Sequence, residues 1–543
     1  MIGFPGRFLL VIAATAGLAA GAWAEGIFPV NDAGAGNRVF DQPSVVASGT
    51  LLHVAFVGDS ANGADSASLN TRLYYAAVNG GVNFADRLTT RGQVLAAAPV
   101  AIDNGDAYTN ARHPQIAMRT STELVILFQA IPGGETDYKL YRALVTTANN
   151  AVTSQSVAEI RDAAGARIPG RLTDSSFALI TSDNTLRVAF SSFPSLVIGS
   201  PYSDVYYARV GWNAARVVNN AILLTTTASS IGVSPLPRLR LDGNNFSHVV
   251  WAADNSTEEL FPTGIYYSMV QALSPGLVDN LAIGATQVLS GGNRWGFPSM
   301  LLTSSRNVWI LASDRSQAGG STGLRESVGI SQVDPYAVTH DGNPVSVNNI
   351  PGGTDSSFFL NPPGGSVLSA DFDAYQPEAA LDSQNRMHVA GYGFRTDAPP
   401  FQGTPGRYYV MSLGTTSTGS GTSSVFASMV GSPVSVGTGD LAFAVQLPGD
   451  YTRPAFVHFS GKSVHLWSGP DNVVAGARNL YVTSTFSPSE PTSQSGCSMA
   501  GDPRRGEAGR IPGAAVLLLP AVLLAVRRAA RKAFGGRVGS GQG

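Results

Sequence analysis

The chain has 543 residues, only 13% of them charged, and a formal net charge of -2. That balance supplies no basic face for a polyanion and sets nucleic-acid binding aside. With 61 Gly and 32 Pro among many Ser, Thr, Asn, Val and Tyr, short strands joined by turns are favoured over helices, so the expected class is all-β. Cys497 is the only cysteine, which rules out an internal disulfide.

The amino terminus runs from Met1 to Arg7, through the apolar stretch Phe8 to Gly21, to Ala22-Trp23-Ala24 before Glu25. A charged start, a short hydrophobic segment and small residues at -3 and -1 are what signal peptidase accepts, so residues 1–24 read as a signal peptide cut after Ala24. The body, residues 25–486, is a run of similar units that begin at Pro43, Pro114, Ser176, Pro237, Pro298, Pro377 and Pro454. Each unit has a first strand that the proline opens, a polar turn, and a second strand such as Leu52-His53-Val54-Ala55-Phe56, Ser247-His248-Val249-Val250-Trp251 or Val464-His465-Leu466-Trp467. An aromatic third strand follows in several units, as in Leu73-Tyr74-Tyr75-Ala76, Val205-Tyr206-Tyr207-Ala208, Gly264-Ile265-Tyr266-Tyr267 and Arg407-Tyr408-Tyr409-Val410.

Four antiparallel strands repeated radially make a β-propeller blade, and seven four-stranded blades is the count the units give, with six as the alternative. The seventh unit has no fourth strand of its own. The segment Gly26 to Phe40, which precedes the first unit, is expected to pair there and close the ring, because an unclosed ring would leave open sheet edges. Leu413 to Ser424 reads as a Gly/Ser-rich loop inside the sixth unit.

These units resemble the sialidase-like, BNR-type propeller superfamily, whose repeats read roughly as Pro-x-apolar, turn, Leu-His-Val-Ala-Trp and Ile-Tyr-Tyr-Ala. The resemblance covers about Pro43 to Phe486. It lacks the full Asp-box of sialidase blades, of which Val78-Asn79-Gly80-Gly81-Val82-Asn83-Phe84 is at most a worn copy. The resemblance implies a propeller, and a glycoside hydrolase only if an arginine cluster, a tyrosine nucleophile and a carboxylate converge.

After a polar stalk, residues 487–510, comes the apolar run Ile511 to Val526 and then a basic tail, residues 527–543, with Arg527, Arg528, Arg531 and Lys532. Held in the cytoplasm, these charges leave the body outside the membrane, in agreement with the signal peptide. Gly496-Cys497-Ser498, the short apolar run and the Arg cluster resemble bacterial C-terminal sorting signals of the MYXO-CTERM and JDVT-CTERM kinds. That resemblance implies processing or lipid attachment at Cys497 by a sorting protease, and an exported protein anchored at, or released from, the cell envelope.

Candidate ligand contacts lie around the opening prolines, in segments read as loops that share one face of the channel. They are Arg112, Arg238, Arg294 and Arg453, with the Asp-Tyr pairs Asp106 and Tyr108, Asp373 and Tyr375, and Asp450 and Tyr451. Arginines converging on one axis would grip a carboxylate, so an acidic glycan or a surface protein is the expected partner. The aligned histidines His53, His248, His388 and His465 are read as structural residues bonded to neighbouring backbone, and the Tyr-Tyr pairs as packing with their hydroxyls at the edge. Asp103-Asn104-Gly105-Asp106 lacks the spacing of a calcium loop. No phosphate loop, nucleophile elbow or metal-spaced cluster appears, so neither cofactor nor metal is expected. The reading is a recognition module, with a sialidase-like hydrolase and a structural envelope protein as alternatives.

Overall fold

The computed structural model describes residues 28–31, 39–59, 71–82, 90–102, 108–180, 183–193, 204–218, 221–225, 236–253, 264–271, 279–289, 295–302, 308–317, 324–338, 344–346, 358–359, 372–381, 387–395, 405–416, 426–429, 434–435, 441–442, 455–459, 462–470 and 478–486. The chain divides into two units, 1–488 and 489–543, and every described residue belongs to the first. The signal peptide, the Cys497 motif, the apolar run 511–526 and the basic tail therefore lie outside the described residues. Among the described residues no helix is long and apolar enough to cross a membrane.

Those residues are nearly all β and form seven antiparallel sheets, one for each unit of the sequence. Their first strands are Phe40–Ser48, Tyr108–Met118, Arg171–Ile180, Arg238–Leu241, Trp295–Leu302, Phe372–Leu381 and Ala455–Phe459. Each first strand contacts that of the next sheet, and the seventh contacts the first, so the sheets stand in a ring around an axis. This is the architecture of a β-propeller.

The repeat has a packing signature. An aromatic in the second strand packs against the aromatic directly opposite it on the third, stacked in Phe56 with Tyr74, Phe128 with Tyr141, Phe190 with Tyr206 and Trp251 with Tyr266, and tilted in Trp467 with Tyr481. Cross-strand aromatic pairs of this kind add to the burial they bring. The apolar cores then form between sheets: one cluster joins the first and second sheets through Tyr75 and Phe128, and another joins the first and seventh through Phe56 and Leu466.

The amino-terminal segment closes the seventh sheet, as expected. Phe28–Pro29 runs antiparallel to Arg478–Phe486, with Phe28 opposite Val482. The buried Asn31 clasps this seam, since its amide donates to Asn479 Oδ1 at 2.8 Å and its Oδ1 accepts the Leu480 N–H at 2.7 Å. Arg91, on the short helical turn Arg91–Val94 of the first unit, donates to the carbonyls of Pro29 and Asn31. Phe40 is not part of this closing strand and opens the first sheet instead.

Three local expectations are corrected. In the first, second, fifth and sixth sheets the proline does not open the first strand but sits inside it, in a β-bulge, whereas Pro237 directly precedes the strand Arg238–Leu241, as expected. The ladder slips between Asp41 and Ser44, Arg112 and Gln115, Gly296 and Ser299, and Tyr375 and Glu378, each step spanning a proline. Proline cannot donate to the ladder, and a bulge leaves its position unpaired. Leu413 to Thr416 belong to the strand Pro405–Thr416, not to a loop. Two of the aligned histidines bond to tyrosine rather than to backbone: His53 Nδ1 meets the Tyr75 hydroxyl, and His248 Nδ1 the Tyr267 hydroxyl, each at 2.7 Å. Tyr75 and Tyr267 are buried, so their hydroxyls are not at the edge.

Burial holds the His53 imidazole below its ordinary value of 6.5, at about 4. Between these values the unfolded chain takes up a proton that the folded chain refuses, so stability is full above pH 6.5 and declines as pH falls towards 4. The loss from this residue is about 2–3 kcal/mol. Denaturant unfolding from pH 7.5 to pH 4 is expected to show it, and His53→Leu, though less stable at neutral pH, is expected to have a shallower acid arm.

Candidate functional site: the axial cavity

An edge strand exposes a row of N–H groups, and here each first strand faces the axis along such an edge. The residue that follows the bulge answers this need. Ser44 Oγ accepts the Ile116 N–H of the next sheet at 3.1 Å, Gln115 Oε1 accepts the Phe177 N–H at 3.1 Å, and Ser176 Oγ accepts the Leu239 N–H at 2.9 Å. Gln42 adds a fourth such bond, from the His113 N–H at 2.6 Å. Gln42 and His113, each preceding a proline, have φ of 54° and 50°, a left-handed conformation that these bonds hold in place.

Around the axis the first strands enclose a cavity of about 180 Å³ that residues of six of the seven sheets line. At the register position of Ser44 the fourth sheet carries Arg238 and the sixth carries Glu378. These two form an ion pair that passes over the intervening fifth sheet, whose Ser299 donates to Glu378 Oε2 at 3.2 Å. Arg240, two residues beyond Arg238 and thus on the same strand face, also lines the cavity and is exposed to it. Loss of hydration within this enclosure lowers the Arg240 pKa; Glu378 opposes that shift and Arg238 adds to it. A guanidinium stays charged regardless.

The sequence-predicted residues are dispersed. Of the four arginines, Arg238 faces the cavity. Arg112 lies in a strand, where its guanidinium sits 3.5 Å over the Tyr138 ring and donates to Gln129 Oε1 at 2.9 Å and to the Leu172 carbonyl. It ties the second sheet to the third and does not line the cavity. Tyr108 is buried, its hydroxyl donating to the Ile102 carbonyl and its ring against Phe128 and Tyr141. Asp373 and Tyr375 are strand positions opposite Phe394 and Tyr392. Arg112, Tyr108, Asp373 and Tyr375 thus stand on strands rather than on the loops expected of them. Arg294, Arg453, Asp106, Asp450 and Tyr451 lie outside the described residues, as do Ala24, Cys497 and the segment Asp103-Asn104-Gly105-Asp106.

Sequence reasoning missed Glu378 and Arg240. Each is a lone charge inside an otherwise apolar first strand, Glu378-Ala-Ala-Leu381 and Arg238-Leu-Arg-Leu241, and that break in the repeat was the available signal. Among the described residues no group of three metal-ligating side chains occurs. His465, buried like His53, stacks on Phe456 at 4.9 Å.

No family model matches the sequence, and no curated protein sequence is similar to it. Among solved structures, the chain is similar to an endo-arabinase from Bacteroides thetaiotaomicron at 11% identity, with 70% of this chain and 95% of that one covered and a TM-score of 0.33. It is also similar to a Hadza microbial sialidase at 10% identity, covering 78% and 74% with a TM-score of 0.38. A xylan β-1,4-xylosidase from Bacillus halodurans stands at 11% identity, covering 82% and 95% with a TM-score of 0.31.

Truncating one member of a partly buried ion pair leaves the other short of its counter-charge. Glu378→Ala is expected to destabilise the protein by about 1–3 kcal/mol, and Arg238→Ala with Glu378→Ala together by less than the sum of the single changes. Denaturant unfolding of the four proteins checks this; strict additivity would place the two groups out of contact.

Proposed function

We propose that the chain is a seven-bladed β-propeller, closed by its amino-terminal strand, that recognises a glycan or protein partner through its axial cavity. The observation that carries this reading is the Arg240 guanidinium, open to a cavity that the inner strands otherwise fill with paired groups. A charge placed where hydration is reduced, with no role in holding the sheets together, is a binding group rather than a structural one.

The hydrolase alternative asks more of the site. Paired glycosidase carboxylates work across roughly 5 to 9.5 Å, whereas among the described residues Glu378 is the one carboxylate lining the cavity, and it is engaged by Arg238 and Ser299. Recognition without turnover is therefore the reading preferred. The sialidase-like resemblance of the repeats is consistent with a propeller that keeps the scaffold and not the reaction.

Export and surface attachment complete the proposal. Signal peptidase would cut after Ala24, and the tail with Cys497, the apolar run 511–526 and the basic cluster would anchor the body in the membrane, or release it after a sorting protease acts. Intact mass of the protein recovered from its own cell envelope is expected to place the mature amino terminus at Glu25; a retained Met1 would overturn the export reading.

The recognition reading is tested by binding of the full chain to arrays of glycans and cell-surface proteins, beside Arg240→Trp, which fills the cavity from an exposed position. Saturable binding lost in the variant is expected. Binding indifferent to the plug, or turnover of a glycoside by the unaltered chain, would overturn it.

A further inference from the structure

The outer rim of a propeller ends in one edge strand for each sheet, and an edge with open backbone groups is a template for another strand. Among the described residues, six of the seven outermost strands carry a feature that blunts them. The first sheet ends in Leu95–Ala101, interrupted by Pro99, and the fourth in Asn280–Leu289, which contains Gly284 and slips three times against its partner. The third, fifth and sixth end in separate pieces of two to four residues, and the seventh in the two residues Phe28–Pro29. The second sheet differs. It ends in Ala151–Glu159, nine residues without proline or glycine, exposed from Thr153 to Ser156.

This strand is fixed along one edge and open along the other. Asn149 and Asn150, with φ of 50° and 68°, make the two-residue turn that returns it along Lys139–Ala148, and the single slip of that ladder lies beside the turn. Thr153 Oγ1 donates to the Thr146 carbonyl at 3.2 Å. The Ile160 N–H donates to the Leu140 carbonyl, and bonds alternate along an antiparallel pair. Ala158, Ser156 and Ser154 therefore face the third strand, while Glu159, Val157 and Gln155 aim their N–H and C=O groups outward. At Arg161 the same edge already takes a strand: the Arg161 N–H donates to the Ala215 carbonyl at 3.0 Å, and the Arg161 carbonyl accepts the Val217 N–H at 2.8 Å. Upstream of that junction, the outward groups of Val157 meet no partner among the described residues.

We infer that Ala151–Glu159 pairs antiparallel with the same strand of a second copy of this chain, across a two-fold axis, and joins two four-stranded sheets into one of eight. Self-pairing sets each residue against its mirror about the axis, so like charges are what would forbid it. None stands from Ala151 to Ala158, and the Glu159 carboxylate is engaged by Arg161 and Arg167. The exposed side chains of Thr153, Ser154, Gln155 and Ser156 carry no charge by which a foreign strand would be steered or selected. A single open edge also limits the assembly. A pair uses both edges and leaves none for a third copy, so the contact closes at the dimer. It stands apart from whatever the axial cavity receives.

Sedimentation equilibrium of the full chain in mild detergent, over a range of concentrations, tests this pairing, with Gln155→Pro and Gln155→Lys alongside and hydrogen exchange read at the Val157 amide. Proline at 155 removes an outward N–H and no bond of the ladder to the third strand, and lysine there brings like charges to the seam. Expected are a monomer–dimer equilibrium that goes no further, a dimer dissociation constant raised on the order of 10- to 100-fold in each variant, and a Val157 amide whose exchange slows as concentration rises. A monomer at every concentration would overturn the pairing and leave the edge to a foreign strand or to none. Growth past the dimer, or a Val157 amide protected regardless of concentration, would equally overturn it. So would a dimer that either folded variant leaves intact, which would move the contact to another surface such as the apolar run 511–526. Should Gln155→Pro fail to fold, Gln155→Lys and the exchange of the unaltered protein decide.

Discussion

Each inner strand presents unpaired backbone N–H groups towards the axis, and the rest of the structure depends on how they are satisfied. A buried donor without a partner costs about 1–3 kcal/mol, and a ring of such edges would be untenable without help. The bulge at the proline solves the problem locally. It leaves ladder positions unpaired and places the next side chain, Ser44 or Gln115, where it accepts an N–H from the following sheet; Ser176, beyond a bulge without proline, does the same in the third sheet. The same bonds that quench the edges thereby stitch sheet to sheet. The apolar clusters between neighbouring sheets supply the larger share of the stabilisation, while these polar bonds set the register in which the clusters meet.

Once that register position is assigned to stitching, its exceptions stand out. Serine or glutamine stands there in the first three sheets and serine in the fifth, but the seventh carries Ala455, and the fourth and sixth carry Arg238 and Glu378. Their ion pair substitutes one long link for two short ones, and Ser299 steadies it from between. A local consequence is that Arg240, on the same strand face, has no ion-pair partner among the described residues. The cavity is thus polar through the demands of closing the ring, and among the described residues Arg240 is a charge in it that closure does not use. Two buried arginines elsewhere are neutralised in place: Arg209 with Asp279, which Tyr207 also contacts at 3.0 Å, and Arg187 with Asp183 at 2.7 Å.

Much of the scaffold could be read from the residues, because a repeat multiplies weak signals. The second and third strands were found by their aromatic ends, and those ends prove to stack directly across the ladder, Phe56 on Tyr74 and Trp251 on Tyr266. The closing strand was found from a shortage of partners in the seventh unit. The site was less legible, for a definite reason. A proline before a strand signals a loop unless it is known to sit in a bulge, so Arg112 and Tyr108 were assigned to a loop face when they are strand residues turned into packing between sheets. Conversely, Glu378 and Arg240 look like ordinary strand residues in sequence. Only the ring places Arg238 and Glu378, 140 positions apart, against each other. Histidine partners were equally out of reach, since the diagonal from His53 to Tyr75 depends on strand register.

An X-ray structure of the full chain bears most directly on the central claim, that the sheets close in one ring whose axis the Arg238 to Glu378 pair spans while Arg240 stays open to the cavity. Seven sheets in one closed ring are expected, with the Arg238 to Glu378 pair intact and the Arg240 guanidinium facing the cavity. An open seam between the seventh and first sheets, or Arg238 and Glu378 held apart with Arg240 turned out of the cavity, would contradict the claim.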